Sequence, residues 1–422
     1  MTGIPLTDVA KPTTHVEYRR IPVISGDTLN LLPPSGSRRY VSIDVLRCAA
    51  ILLMVQVHFV ENLSSREASS GWLFDVCALF STVPAPLFLF ASGLSFCLWV
   101  RKQRTSGRPE SEITRVAVRR GLFLFGAGIA FNFFVWLPED TFNWDILTLI
   151  GTSLLFLAFA RRLPPVVLAL IGVMVLLLSP PLRVVGDYSA YWENGAYTYD
   201  FTLRDVLFGF VSNGFFPMFP WIVFPLAGYL TGETWIQNQV RGTPFTKRAL
   251  TAGIVLMSIS AAGVAFGARA PYLIAKHYTA GFSEYPASTG YVLGAVGLCL
   301  ACFALLHCLF DREEETADGP LHSGRLLRGR LHSGPLLRFI RRYSEFSLTV
   351  YIVHSILHLW PLWCYGVWMG QDDPTFYWKQ AVPTPTAFGL GIAFVILCSF
   401  CLIVLERHKR FTFESLMRWI CD

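Results

Sequence analysis

This chain is short of charge. Only 15% of its 422 residues are Asp, Glu, Lys or Arg, against about 25% in a typical soluble domain. No stretch is polar and long enough to build a separate soluble core, so an ordinary water-soluble enzyme is excluded. The HEXXH, P-loop and dinucleotide-binding glycine fingerprints are missing. The first 40 residues contain no early apolar run, and no cleavable signal peptide is expected. Ten cysteines are present, but nine sit within apolar runs and Cys421 lies near the end. Cys299/Cys302 and Cys398/Cys401 have C-x-x-C spacing, yet both fall in mid-helix without a second ligand pair, so no metal site is expected. Small residues three apart suit close helix packing instead.

What is present is apolar: 53% hydrophobic residues, 14% aromatic, and a mean hydropathy of +0.47. The fold class expected is an all-α polytopic bundle of about ten membrane spans, at about 20 apolar residues each. The spans are expected near 41–61, 72–100, 118–137, 146–160, 164–182, 206–231, 248–267, 287–310, 346–369 and 384–405. Pro84 and Pro86 in the second, and Pro217, Pro220 and Pro225 in the sixth, remove backbone donors and bend the chain. Freed carbonyls inside a bilayer need new partners, which predicts kinked or broken helices around a cavity. With the N-terminus placed in the cytoplasm, 28 of the 35 Lys and Arg fall in inside segments and 6 in outside loops, leaving Arg47 in the membrane. That asymmetry predicts both termini inside, in a plasma or inner cell membrane. It also assigns the +6 net charge to topology and not to nucleic acid.

The expected organisation is a disordered cytoplasmic segment over 1–40, a transmembrane domain over 41–405 and a cytoplasmic tail over 406–422. One basic cytoplasmic loop, 311–342, interrupts the domain. It carries the duplication LHSGRLLRGR and LHSGPLLRFI. A handle for anionic lipid or for a phosphate-bearing cosubstrate competes there with a plain solvated low-complexity loop. Outside, loop 183–205 holds Tyr188, Tyr191, Trp192, Tyr197 and Tyr199, suited either to stacking on sugar faces or to an interfacial aromatic belt.

The first span, SIDVLRCAAILLMVQVHFVEN, carries the chemistry. At about 100° per residue, Asp44, Arg47, His58 and Glu61 fall on one stripe, about 20 Å long. Charged groups at membrane depth are costly and face a protein interior or a wet cavity. His58 has an unperturbed pKa suited to general base work. Glu61, one turn on, is placed to orient it as an acid does in a triad; an ordinary interfacial carboxylate is the plainer alternative. Acylation of His58 itself is the other chemical route. Among further polar residues, Ser92 and Asn132 read as helix-packing hydrogen bonders and Asp145 as a helix start. Asp75, Asn213 and His354 also lie at membrane depth, and His354 is a second functional candidate. A polar track with proline-broken helices also builds transporter pathways, so a multi-pass transporter or exporter is the alternative function. No internal repeat of spans supports it. A silent scaffold is the third reading.

SIDVLRCAAILLMVQVH resembles the first helix of integral-membrane acyltransferases, both those that decorate polysaccharides and lipids and the heparan-α-glucosaminide N-acetyltransferase branch. Three later stretches are similar in order: PAPLFLFASGLSFCLWVRK, GFFPMFPWIVFPLAGYLTGE and SEFSLTVYIVHSILH, followed by the tail FTFESLMRW. Cys48 departs from the usual Gly of that pattern, which puts a close helix crossing there in doubt. The resemblance implies an acyl, normally acetyl, group taken from cytoplasmic acyl-CoA as cosubstrate, with no permanently bound cofactor. A hydroxyl or amine of a glycan or lipid acceptor at or beyond the membrane receives it. Carried onto this chain, it makes His58 the catalytic imidazole and Arg47 a candidate for holding the polar track or the acyl donor. Asp44 and His354 stand beside them as candidate donor- or substrate-binding residues.

Overall fold

The computed structural model describes residues 39–65, 71–193, 196–241, 245–279, 281–311, 334–408 and 412–422. Expectations for 1–38 and for 312–333, the first copy of the duplication included, lie outside them, and from residue 335 the expected loop 311–342 is helical. The described chain is helical: α1 (Val41–Leu63), α2 (Trp72–Ser81), α3 (Pro84–Thr105), α4 (Glu110–Val135), α5 (Ile146–Ala160) and α6 (Pro165–Val185) come first. Then follow α7 (Leu203–Phe208), α8 (Met218–Trp221), α9 (Val223–Arg241), α10 (Phe245–Phe266), α11 (Tyr272–His277) and α12 (Thr289–Phe310). The last four are α13 (Pro335–Glu345), α14 (Ser347–Trp368), α15 (Thr384–Arg407) and α16 (Phe413–Cys421). A two-stranded antiparallel ribbon pairs Trp192 with Tyr197.

Among the described residues nine helical stretches are long and apolar enough to cross a membrane. The tenth expected span, 146–160, forms α5 with those bounds, but its 15 residues rise only about 22 Å, less than the roughly 30 Å hydrocarbon core. Asp145 caps its start, accepting from the Leu147 amide at 2.7 Å. Its end is pinned where Arg161 meets Glu110 and, at 2.8 Å, Thr114 Oγ1.

The two proline-bearing spans are broken as their composition predicts. The second divides between α2 and α3, with Pro84 opening α3 at a position where no amide donor is needed. The sixth divides into α7, a π-helical turn over Gly209–Asn213, α8 and α9. α3 and α9 then cross with backbones in contact: a Cβ on Gly93 would lie 1.8 Å from the Pro225 carbonyl oxygen, and one on Gly228 would lie 2.0 Å from that of Phe90. Only glycine allows this approach.

α1 is the central helix, packed against α2, α3, α12, α13, α14 and α15. At its first turn Asp44 takes the Arg39 guanidinium at 2.6 Å and the Ser344 hydroxyl at 2.6 Å. The Val41 amide donates to Asp311 at 3.0 Å. At its last turn the backbone of Lys379, Ala381 and Val382 donates to the carbonyls of Asn62 and Leu63. Both ends of the helix that carries the polar stripe are therefore fixed.

Candidate functional site

A cavity of about 1100 Å³ opens beside the last three turns of α1. Ala50, Met54, Val57, His58, Glu61 and Asn62 line it from that helix. The broken elements supply the opposite walls: Pro84, Ala85 and Phe88 from the start of α3, and Phe215 and Phe216 from the break before α8. The proline-marked breaks thus border the space, as the sequence implied.

His58 faces this cavity, and its Nδ1 lies 2.9 Å from Nε2 of His354. Behind it, His354 is fully buried and its Nδ1 lies 3.2 Å from the Val350 carbonyl oxygen. One turn further along both helices, Asn62 Nδ2 meets His358 Nε2 at 2.8 Å, and His358 Nδ1 lies 2.7 Å from the His354 carbonyl oxygen. α1 and α14 run in the same direction, so the pair His58/Asn62 at i, i+4 matches the pair His354/His358 at i, i+4.

Of the expected site residues, His58 and His354 are brought together. Glu61 is not the partner of His58. It lines the cavity one turn away, where its carboxylate faces Ser81 and Lys379. Arg47 does not line the cavity, whose nearest wall residue on α1 is Ala50, one turn on. Its guanidinium donates to Ser95 Oγ at 2.5 Å and to the Ser344 carbonyl at 3.5 Å. Asp44 is committed to Arg39 and Ser344. The stripe thus divides into a half around Asp44 and Arg47 away from the cavity and a cavity half around His58 and Glu61.

The loops at the cavity end add aromatic faces and acid. Tyr188, Trp192 and Tyr197 of loop 183–205 line the cavity with Tyr285, Trp136 and Trp378. Tyr191 and Tyr199 instead tie the loop down, donating to Asp205 at 2.5 Å and to the Glu139 carbonyl at 2.7 Å. Glu139, Asp140, Asp145 and Glu284 line the cavity too. Burial raises Glu284 from 4.5 to about 8, with the Glu61 charge adding to it. Burial likewise raises Asp145 to about 6, opposed by hydrogen bonds from Tyr351 and from the first turn of α5. Asp145 therefore has the expected capping role and a place in the cavity wall. Asn132, in the cavity wall, binds the loop carbonyl of Thr141 at 3.3 Å, while Ser92 bonds its own helix at Leu89. Asn213 binds the Gly186 carbonyl at 2.7 Å, and Asp75 stands in the first turn of α2. The described residues contain no cluster of three or more His, Cys, Asp or Glu that would hold a metal ion.

Asn62, His358, Glu284 and Trp378 escaped the sequence reading. The i, i+4 spacings of His58/Asn62 and His354/His358 were the signal for the first two. Glu284 and Trp378 sit in loops and left none.

A helical membrane protein with paired imidazoles on the wall of an aromatic, acid-rimmed cavity is the class that this geometry defines. The family model described as "Heparan-alpha-glucosaminide N-acetyltransferase, catalytic" matches residues 39–264. The match covers more than half of the 422 residues, and the chain belongs to that family, a family of membrane acyltransferases. His58, Arg47, Asp44 and Glu61 fall inside the matched region, and His354 and His358 beyond it. No curated protein matches the chain.

Proposed function

We propose that this protein moves an acetyl group from acetyl-CoA to an amine or hydroxyl of a sugar- or lipid-borne acceptor held in the cavity. The observation that carries this reading is the His58 imidazole, backed by His354, on the wall of a 1100 Å³ space lined with aromatic faces. An acceptor amine or hydroxyl is activated when it loses its proton to His58 within hydrogen-bond reach. The freed lone pair attacks the thioester carbonyl, the C–S bond breaks, and the CoA sulfur leaves with the proton that His58 held. Tyr188, Trp192 and Trp378 offer stacking faces for a sugar ring. The carboxylates of Glu61 and Asp140 favour a cationic acceptor over an anionic one, which supports an amino sugar, while Glu284, protonated at neutral pH, offers a hydrogen bond instead. That choice agrees with the glucosaminide in the family's description.

The donor is assigned to the Arg47 end of α1 and the acceptor to the cavity end. Lys and Arg concentrate on the former, which by the positive-inside tendency supports a cytoplasmic location for that end and for both termini, in a protein of the plasma or inner cell membrane. Arg47 holds the polar track one turn below the cavity floor.

The test is incubation of the purified protein with radiolabelled acetyl-CoA and a pool of amino-sugar, glycan and lipid acceptors. Label is expected in an acceptor, and His58→Ala should lower transfer about 10²–10⁴-fold while the protein still folds. Near-normal transfer by folded His58→Ala removes His58 from the mechanism. Uptake of label into proteoliposomes without transfer identifies a transporter instead.

A further inference from the structure

Five polar contacts lie behind His58: three seat His358 against the His354 backbone, and two, through the His354 ring, set which nitrogen of His58 is free. The chain begins at the cavity rim, where Trp378 Nε1–H donates to Asn62 Oδ1 at 3.3 Å. That bond fixes the Asn62 amide, whose Nδ2–H then donates to His358 Nε2 at 2.8 Å. An imidazole that accepts at Nε2 carries its proton on Nδ1. The Nδ1 of His358 indeed faces an acceptor, the His354 carbonyl oxygen, at 2.7 Å. The same logic holds for His354. Its Nδ1 faces the Val350 carbonyl oxygen at 3.2 Å. A carbonyl only accepts, so Nδ1 bears the proton. In the neutral ring Nε2 is then the acceptor. The group nearest that Nε2 is His58 Nδ1 at 2.9 Å, with the Ser355 hydroxyl further off at 3.4 Å. His58 Nδ1 must therefore be the donor. Its Nε2 keeps the lone pair and, among the described residues, has no protein partner, while the ring lines the cavity.

We infer that His354, seated by its own helix backbone and backed by His358 and Asn62, is a positioning residue that holds His58 as the Nδ1–H tautomer, with Nε2 turned to the substrate. This rests on the acyl-transfer reading for its purpose, but the tautomer itself does not depend on that reading. The arrangement does with a second imidazole what a carboxylate does for the histidine of a hydrolase triad: it fixes orientation and tautomer through the nitrogen that does no chemistry. An imidazole is neutral, so it does this at membrane depth without placing an anion there, which a carboxylate would do at a cost. The i, i+4 repeat on two parallel helices supplies the rigidity, because both rings of α14 are tied to backbone carbonyls of their own helix.

Nitrogen-15 spectra of histidine-labelled protein in detergent or nanodiscs read the tautomer directly, the His58 signals being assigned by their loss in His58→Gln. His58 is expected to show a protonated Nδ1 and an unprotonated Nε2. His354→Leu removes the acceptor, and the His58 signature should shift away from that tautomer. His354→Gln places an amide oxygen near the lost Nε2 and should retain it. In the transfer assay His354→Leu should lower kcat about 10–100-fold, the range for partners that orient a working imidazole, with KM for both substrates little changed. His354→Gln should recover part of the loss. A His58 protonated on Nε2 in the unsubstituted protein, or a signature unmoved by His354→Leu, overturns the inference. The expected tautomer in a protein that transfers no label leaves the positioning intact and sinks the acyl-transfer reading alone.

Discussion

Arg47 is a membrane-depth cation whose hydrogen bonds run to Ser95 Oγ and the Ser344 carbonyl, not to a carboxylate. Asp44, three residues earlier, already has the Arg39 guanidinium and the Ser344 hydroxyl. Removing Arg47 therefore orphans no buried anion, which is the usual reason for large losses on breaking a charged site. Arg47→Ala is expected to fold and insert, and to lose acetyl-CoA use more than thermal stability, measured as KM for acetyl-CoA beside a melting curve. Failure to insert would make Arg47 a structural residue only. Glu284 gives a pH prediction. Its carboxyl is raised from 4.5 to about 8 by burial and by the Glu61 charge, so the folded state holds the proton more tightly than the unfolded one. The resulting stabilisation is complete below about pH 4.5 and is lost as pH rises toward 8. Glu284→Gln cannot titrate, so its melting temperature should fall less than that of the unsubstituted protein between pH 5 and 8. Equal slopes would show that Glu284 has no part in the profile. The stripe on α1 was legible because its spacing is a property of one helix. The partner of His58 was not, because Glu61 is near in sequence while His354 is near only after α14 packs beside α1.

α14 shows how a helix end far from the cavity serves the residues inside it. Its N-cap is Phe346, which has no side-chain acceptor for the first-turn amides. The acceptor arrives from the tail: Glu414 takes the Thr349 amide at 2.9 Å and the Thr349 hydroxyl at 2.6 Å. A carboxylate at a helix N-terminus also meets the positive end of the helix dipole. α16 is held in turn where Asp422 takes Arg120 of α4 through both oxygens, at 2.8 and 2.7 Å. Glu414→Ala should cost about 0.5–2 kcal/mol, the range for loss of an N-cap, read as a lower melting temperature, and Glu414→Gln should cost less. No loss in either variant would show that α14 is seated by packing alone. The tail FTFESLMRW was visible in the sequence as a family-like stretch, but the work of its Glu414 as a cap supplied from another element was not. Helix limits were more legible. Pro84 and Asp145 act through local geometry, each at a helix start, whereas the glycine pair Gly93 and Gly228 shows its purpose only once α3 packs on α9.

The short α5 and the cavity are one feature of the whole molecule. α4 has 26 residues and α5 has 15, a difference of about 16 Å at about 1.5 Å per residue. Glu110 at the start of α4 meets Arg161 just past the end of α5, so the two helices are flush at the basic end and the missing length falls at the other. There the chain turns back through residues 136–145, and Trp136, Asn143, Asp145 and Ile146 become cavity wall. α5 therefore still returns the chain from the cavity end to the basic end, and the alternation of helix directions survives a helix too short to be counted by length. The same basic end gathers Arg39 with Glu345, Arg342 with Glu406 and Arg120 with Asp422, while His58, Glu284 and Trp378 stand at the opposite one. Cysteine-accessibility labelling in membranes tests this order. Single reporters in 101–109 and 312–333 are expected to label from the cytoplasmic side, and reporters in 183–205 and 371–380 from the other. A reporter in 183–205 that labels on the same side as one in 101–109 would mean that the chain does not cross between α4 and α6 as described. It would also put the cavity on the same side as the basic loops, so that donor and acceptor would have to enter from one face.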